Sequence, residues 1–209
     1  MAKTTWALVP INTLQRAKSR LAPSLNSKQR QRLHLQLASH VLATLQACRH
    51  LHRVIVVNNN DDAISQLARK FDCAEIITNE IGTLNTYQWA LKNLPGKPEQ
   101  LLLIASDLPQ VNVDCLDELL IAAVRQDITI VPDKHFSGTN ALVSPWPVKL
   151  PLAFGNNSYQ QHIYNAQHCQ LSWGSFTHPR LAWDLDTPGD YHHIAQHNPK
   201  WRQPISEAA

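Results

Sequence analysis

The chain has 209 residues, 44% of them hydrophobic, with 19 Lys and Arg against 16 Asp and Glu. That suits one domain with a core of ordinary size, and a net charge of +3 is too weak to call for a nucleic-acid partner without a concentrated patch. Cys48, Cys73, Cys115 and Cys169 are far apart and form no C-x-x-C pair, so they read as buried reduced thiols, not a disulfide framework or zinc site.

The opening residues MAKTTWALVP lack the apolar run of a signal peptide. No stretch approaches the ~18 apolar residues of a membrane span, so a cytoplasmic location without a membrane partner is expected. Between Lys3 and Arg53 there are nine Lys or Arg and no Asp or Glu. Such a positive quarter suits a polyanion, and a triphosphate is as good a candidate as RNA.

In chain order, Trp6–Val9 reads as a first strand stopped by Pro10, followed by a polar loop through Ala17-Lys18-Ser19-Arg20-Leu21-Ala22-Pro23. Ser27 is a fair N-cap for a helix whose Leu33, Leu37, Val41 and Leu45 recur every four residues. Val54–Val57 is a β-branched run of the kind buried on both faces of a sheet. A helix is expected over 61–70, a short strand over 75–78, a helix over 86–94 and an apolar strand over Leu101–Ala105. Then come a helix over 114–125, strands over 128–131 and 141–143, a helix over 157–168 and a strand over Leu181–Leu185. Pro188 opens a last short helix at its favoured first position, and Trp201–Ala209 reads as a C-terminal tail after a single domain, 1–200. Alternating strands and helices imply an α/β fold: a mostly parallel sheet with flanking helices. Ligands of such sheets sit just past the carboxyl ends of the strands.

Four elements there could carry chemistry. Asp107 follows the Leu101–Ala105 strand, where its carboxylate would either hold a hard cation such as Mg²⁺ or cap the turn at Leu108-Pro109. In Asp184-Leu185-Asp186-Thr187-Pro188 the two carboxylates, two apart in an extended segment, would point the same way and repel unless a cation or proton lies between them. The competing reading makes Asp186 or Thr187 only the cap of the next helix. Arg16, Lys18 and Arg20 in the first loop suit phosphate, though solvated surface cations are equally expected there. Ser137-Gly138-Thr139-Asn140 and Phe154-Gly155-Asn156-Asn157-Ser158 offer backbone N–H groups and hydroxyls for carboxylate or phosphate oxygens, and ordinary turn chemistry explains each alone. Among the 11 histidines, His50/His52 and His192/His193 are not at i, i+4 ligand spacing and no Cys or acidic residue completes a site, so structural or surface roles are expected; G-x-S-x-G, Walker and dinucleotide motifs are missing.

These segments together resemble the 2-phospho-L-lactate guanylyltransferase family, which includes bacterial phosphoenolpyruvate and 3-phospho-D-glycerate guanylyltransferases of coenzyme F-420 biosynthesis. The matching blocks are Ala17–Ala22, Leu84-Asn85, Asp107-Leu108-Pro109, Gly138–Leu142, Phe154-Gly155 with Ser158 and His162, and Asp184–Pro188. The resemblance implies a nucleotide-diphospho-sugar-transferase-like fold and GMP transfer from GTP to a small phosphorylated carboxylic acid. It implies that Asp107, Asp184 and Asp186 are catalytic and bind Mg²⁺, that Lys18, Arg20, Leu84 and Asn85 lie by GTP, and that Thr139, Gly155 and Ser158 bind the phosphoacid. Asn12 and Ser137 depart from the family's usual Lys and acidic residue, and Gly82-Thr83 from its usual charged lead-in. The rivals are a molybdopterin nucleotidyltransferase, whose first loop is normally glycine-rich where this one has no glycine, and a non-catalytic nucleotide- or RNA-binding protein. Self-association is left open.

Overall fold

Alternation of side chains along the apolar runs decides the architecture. In the computed structural model, which describes residues 3–201, the strands are β1 (Thr5–Ile11), β2 (Arg53–Asn58), β3 (Ala74–Ile77), β4 (Gln100–Ile104), β5 (Ile128–Pro132), β6 (Thr139–Pro145) and β7 (Trp173–Ser175). They form a seven-stranded sheet in the order β3-β2-β1-β4-β6-β5-β7. β6 runs antiparallel to β4 and β5, and the remaining pairings are parallel. The helices are α1 (Ser27–Ala47), α2 (Asp62–Lys70), α3 (Thr83–Lys92), α4 (Val113–Ala122), α5 (Ser158–His168), the single turn α6 (Pro179–Ala182) and α7 (Pro188–His197).

On one sheet face Ala7, Val9, Val54, Val56, Leu102 and Ile104 pack with Val41, Leu42 and Leu45 of α1, Ile64 of α2 and Leu116 and Leu119 of α4. On the other, Leu8, Ile55, Val57, Leu101 and Leu103 meet Tyr87 and Ala90 of α3 and Tyr159 and Ala166 of α5. Strands buried on both faces explain the near-continuous apolar runs. Truncating one of these leucines to alanine costs about 2–5 kcal/mol. A third cluster joins Leu21 and Leu25 to Leu33 and Leu37 of α1, and to Leu185, Tyr191, Ile194 and Trp201.

Several elements differ from the sequence expectation. β1 runs through Pro10 to Ile11; Pro10 lies past Leu8, the last β1 residue paired with β4, so its missing N–H falls where the strand has one ladder neighbour. Asn26, not Ser27, caps α1, in a reciprocal pair with Gln29 (3.0 and 2.9 Å). No strand forms over Leu181–Leu185. Pro179 sits in the first turn of α6, capped by the His178 ring, and the following segment makes isolated bonds to Lys134 N–H and Asp107 O in place of a ladder. β7 was not expected; it adds three residues to an edge. Trp201, read as the start of a tail, is 1% exposed and closes the third core, whereas 202–209 lie outside the described residues. Cys48 and Cys115 are buried as expected, but Cys73 is half-buried and Cys169 exposed; all four are free thiols. Among the described residues no helix is long and apolar enough to cross a membrane.

Candidate active site

β1 pairs with β2 on one side and β4 on the other, so the chain reverses its winding direction at the β1/β4 boundary. The loops after these two strands flank the crevice that such a switch opens. Because β6 is antiparallel, its first residue, Thr139, lies at the same edge: Ala105 N–H donates to Asn140 O at 2.9 Å.

The loop after β1 folds into two 3₁₀ turns, Leu14–Arg16 and Ser19–Leu21, with Lys18 between them. Lys18 adopts left-handed backbone angles (φ 50°, ψ 41°), costly for a side-chain-bearing residue, and is held there by buried Ala17 and Leu21 and by Leu21 N–H donating to Lys18 O (2.9 Å). The strain aims the ammonium inward. Its side chain is 4% exposed and donates to Asp107 Oδ2 at 2.5 Å and Asp186 Oδ1 at 2.9 Å. Burial alone would lower the Lys18 pKa, but the two carboxylates outweigh it and raise it, so the lysine stays charged.

Asp186 comes to this point because Leu185 N–H donates to Asp107 O (3.1 Å) and Leu185 is buried in the third core. The residues on either side, Asp184 and Asp186, then both line the cleft. Thr187 takes the capping role for α7, accepting from Asp190 N–H (3.3 Å) while the Asp190 carboxylate accepts from Thr187 N–H (2.7 Å) and pairs with Lys134. That leaves Asp186 free for cations. Burial raises its pKa, but Lys18 first and then Arg20 pull it below the usual value. The Arg20 contact is 3.4 Å and its side chain is 72% exposed, so it contributes little to stability. Asp184 has no such partner. Burial, then Asp107 and Asp186, push its carboxyl up to about 6, and Lys134 offsets only part.

Two adjoining pockets share Arg20, Thr83, Asp107 and Asp186 as a common wall. One, about 320 Å³, adds Asn12, Arg16, Lys18, His34 and Ser106. The other, about 490 Å³, adds Asp184, Thr139, Gly155 and Ser158. A roomier apolar groove of about 620 Å³ lies along α1 at Leu35 and Trp201, but it has no carboxylate and lies away from the strand ends. In the second pocket the Gly155 backbone (φ 133°) is one that L side chains rarely adopt, and Ser158 begins α5. Asp133 ties down the loop before Thr139 by accepting from Ser137 N–H (2.8 Å) and Ser137 Oγ (3.0 Å).

The structure thus gathers Lys18, Arg20, Asp107, Asp184, Asp186, Thr139, Gly155 and Ser158 around one cleft. Leu84 and Asn85 stand apart from both pockets: Leu84 is half-buried, and the Asn85 amide turns back to Ile81 O (3.0 Å). Their neighbour Thr83, the first residue of α3, lines both. Asp133 and His34 were not singled out by sequence, and Thr83 only as part of the Gly82-Thr83 departure. His34 sits among the leucines of α1, with its Nε2 donating to Asn12 O at 2.9 Å. Burial, then Lys18, lowers its pKa and keeps it neutral.

The expected meeting of three carboxylates takes another form. Asp107 and Asp186 meet on the Lys18 ammonium, and among the described residues no group of three or more His, Cys, Asp or Glu is set around one metal position. The donor chemistry nonetheless fits a hard divalent cation, since three carboxylates, Asp107, Asp184 and Asp186, line the same cleft.

The family described as guanylyl transferase CofC like matches residues 5–202. The chain belongs to that family. It is therefore a nucleotidyltransferase, a guanylyltransferase by family. A phosphoenolpyruvate guanylyltransferase of Sphaerobacter thermophilus is 34% identical over 197 residues, covering 94% of this chain and 95% of that one. A 2-phospho-L-lactate guanylyltransferase of Methanobrevibacter smithii is 23% identical over 193 residues, covering 92% and 84%. The fold is shared with a proposed nucleotide-diphospho-sugar transferase from Desulfovibrio desulfuricans, at a TM-score of 0.76 and 15% identity over 95% of this chain and 90% of that one.

Proposed function

We propose that this enzyme transfers GMP from GTP to a small phosphorylated carboxylic acid, releasing diphosphate, in coenzyme F-420 biosynthesis. The acceptor is phosphoenolpyruvate, 3-phospho-D-glycerate or 2-phospho-L-lactate. The observation that carries this reading is the shared wall: a pocket with Arg16, Lys18 and Arg20 and a pocket with the uncharged donor set Thr139, Gly155 and Ser158 meet at Asp107 and Asp186.

In the reaction an anionic phosphate oxygen of the acid attacks the α-phosphorus of GTP. A new P–O–P bond forms, the bond from α-phosphorus to the bridging oxygen breaks, and pyrophosphate leaves with the electron pair. The nucleophile is already ionised near neutral pH, so alignment and charge neutralisation suffice and no general base is required. Lys18, Arg20 and Arg16 hold the triphosphate at the positive pocket. Thr139, Ser158 and the Gly155 N–H hold the acid. Asp107, Asp184 and Asp186 would hold Mg²⁺, which when bound supplies positive charge against the reacting phosphates. The acceptor end is lined mainly by hydroxyls, amides, glycines and carboxylates, and suits a three-carbon acid better than a pterin, whose rings need more apolar or aromatic surface.

Incubation with GTP, Mg²⁺ and each of the three acids, with molybdopterin in parallel, should release pyrophosphate and yield an acid–GMP adduct by mass. Guanylylation of the pterin alone, or of none of them, would overturn the reading.

A further inference from the structure

His162, on α5, is 0% exposed and has a partner at each ring nitrogen. Ala153 N–H donates to Nε2 at 3.0 Å, so Nε2 carries a lone pair. Nδ1 lies 3.0 Å from Thr139 Oγ1. A neutral imidazole has one N–H, which must therefore be on Nδ1, and Nδ1–H donates to the threonine oxygen. Thr139 has one hydroxyl hydrogen. With its oxygen already accepting from the ring, that hydrogen is left for another acceptor, and Thr139 lines the pocket beside Gly155 and Ser158. The ring is fixed by Phe154, edge-on at 5.0 Å, itself against buried Tyr87 at 4.5 Å.

We propose that His162 is a positioning residue that locks the Thr139 hydroxyl as a donor toward the acid-binding end of the cleft. The inference deepens the proposed function and rests on its assignment of that end to the phosphoacid. A hydroxyl confined to donation favours groups that only accept, such as ionised carboxylate and phosphate oxygens, over groups that must donate. Burial pushes the His162 pKa down to about 4, so the ring is neutral near pH 7 and the two hydrogen bonds set its tautomer there.

Two measurements test it. Nitrogen NMR of the ligand-free protein at pH 7 should show His162 neutral with its proton on Nδ1; a proton on Nε2, or an imidazolium, overturns the proposal without reference to any substrate. In kinetics, His162→Phe should raise the KM for phosphoenolpyruvate roughly tenfold or more, with the KM for GTP within about twofold. In a Thr139→Val background the same change should add less than about twofold, since the residue acts through Thr139. Additive losses, or equal effects on both substrates, contradict it. His162→Asn, whose amide can take the place of Nδ1–H, should recover most of the acid's KM and decides the matter if the Phe variant fails to fold. Absence of turnover with every acid in the wild type would defeat the acceptor assignment, while the tautomer result stands separately.

Discussion

Lys18 and Thr139 stand on opposite sides of the Asp107–Asp186 wall and manage negative charge by different means. At the Lys18 side a full positive charge is buried between two carboxylates and held there by a strained backbone. At the Thr139 side there is no cation of that kind; hydroxyls, a glycine backbone and the start of α5 supply oriented dipoles. The difference follows from what each side must bind. A triphosphate brings up to four charges and needs countercharge, whereas one carboxylate or phosphate can be held by hydrogen bonds that also read its shape. It also makes the two sides unequal in failure: breaking an ion pair strands buried charge, and removing a hydroxyl removes one bond.

Lys18→Met should show the largest effect, since stripping the cation from two partly buried carboxylates costs about 3–5 kcal/mol. Thermal unfolding should fall by several degrees at pH 7, and GTP binding should weaken most at low salt. An unchanged Tm would mean that the pair is not structural. Asp107→Asn and Asp186→Asn should each lower turnover roughly 100-fold or more, while each leaves Lys18 one carboxylate partner and the fold intact. Near-normal turnover by both would break the charged half of the comparison. On the Thr139 side, Ser158→Ala should raise the acid's KM by the equivalent of about 1.5–3 kcal/mol and leave GTP nearly untouched. Equal loss for both ligands would erase the distinction between the two sides.

The smallest effect concerns acid. In the fold His162 titrates at about 4 against an ordinary 6.5, so the unfolded chain binds this proton more tightly. The stability it contributes is fully present above pH 6.5 and is lost as the pH falls toward 4. Between pH 7 and 4.5 the wild-type Tm should drop by about 3–8 °C more than that of His162→Phe. Parallel curves would show that the buried ring carries no such linkage.

Much of the fold was legible because the two-faced burial of β1, β2 and β4 writes itself as continuous apolar runs, and α1 as a four-residue repeat. The strand assigned to Leu181–Leu185 was a misreading of alternation: Leu185 points into a core and its aspartates out, but no neighbouring strand is there to pair with. Trp201 was missed because one aromatic near a chain end has no period to announce its burial. In the cleft, the acidic segments carried a local pattern, whereas the pairing of Lys18 with Asp107 and Asp186 spans separations of 89 and 168 residues and leaves no local trace. Thr83 and Asp133 act through position at loop and helix ends. His162 entered only with a block of resemblance, and its two hydrogen bonds depend on how α5 packs against β6 and against the segment at Ala153.

The central claim is that the acid's own phosphate oxygen attacks the α-phosphorus of GTP across the Asp107–Asp186 wall. The most direct test supplies phosphoenolpyruvate, 3-phospho-D-glycerate or 2-phospho-L-lactate labelled with ¹⁸O in its phosphate, together with GTP and Mg²⁺, and follows both products by mass and ³¹P NMR. The account predicts that one ¹⁸O bridges the two phosphorus atoms of the adduct, seen as a ³¹P isotope shift on the GMP phosphorus, and that none appears in pyrophosphate. A GMP phosphorus without that shift, label in pyrophosphate, or pyrophosphate released without an adduct of any acid, would contradict it.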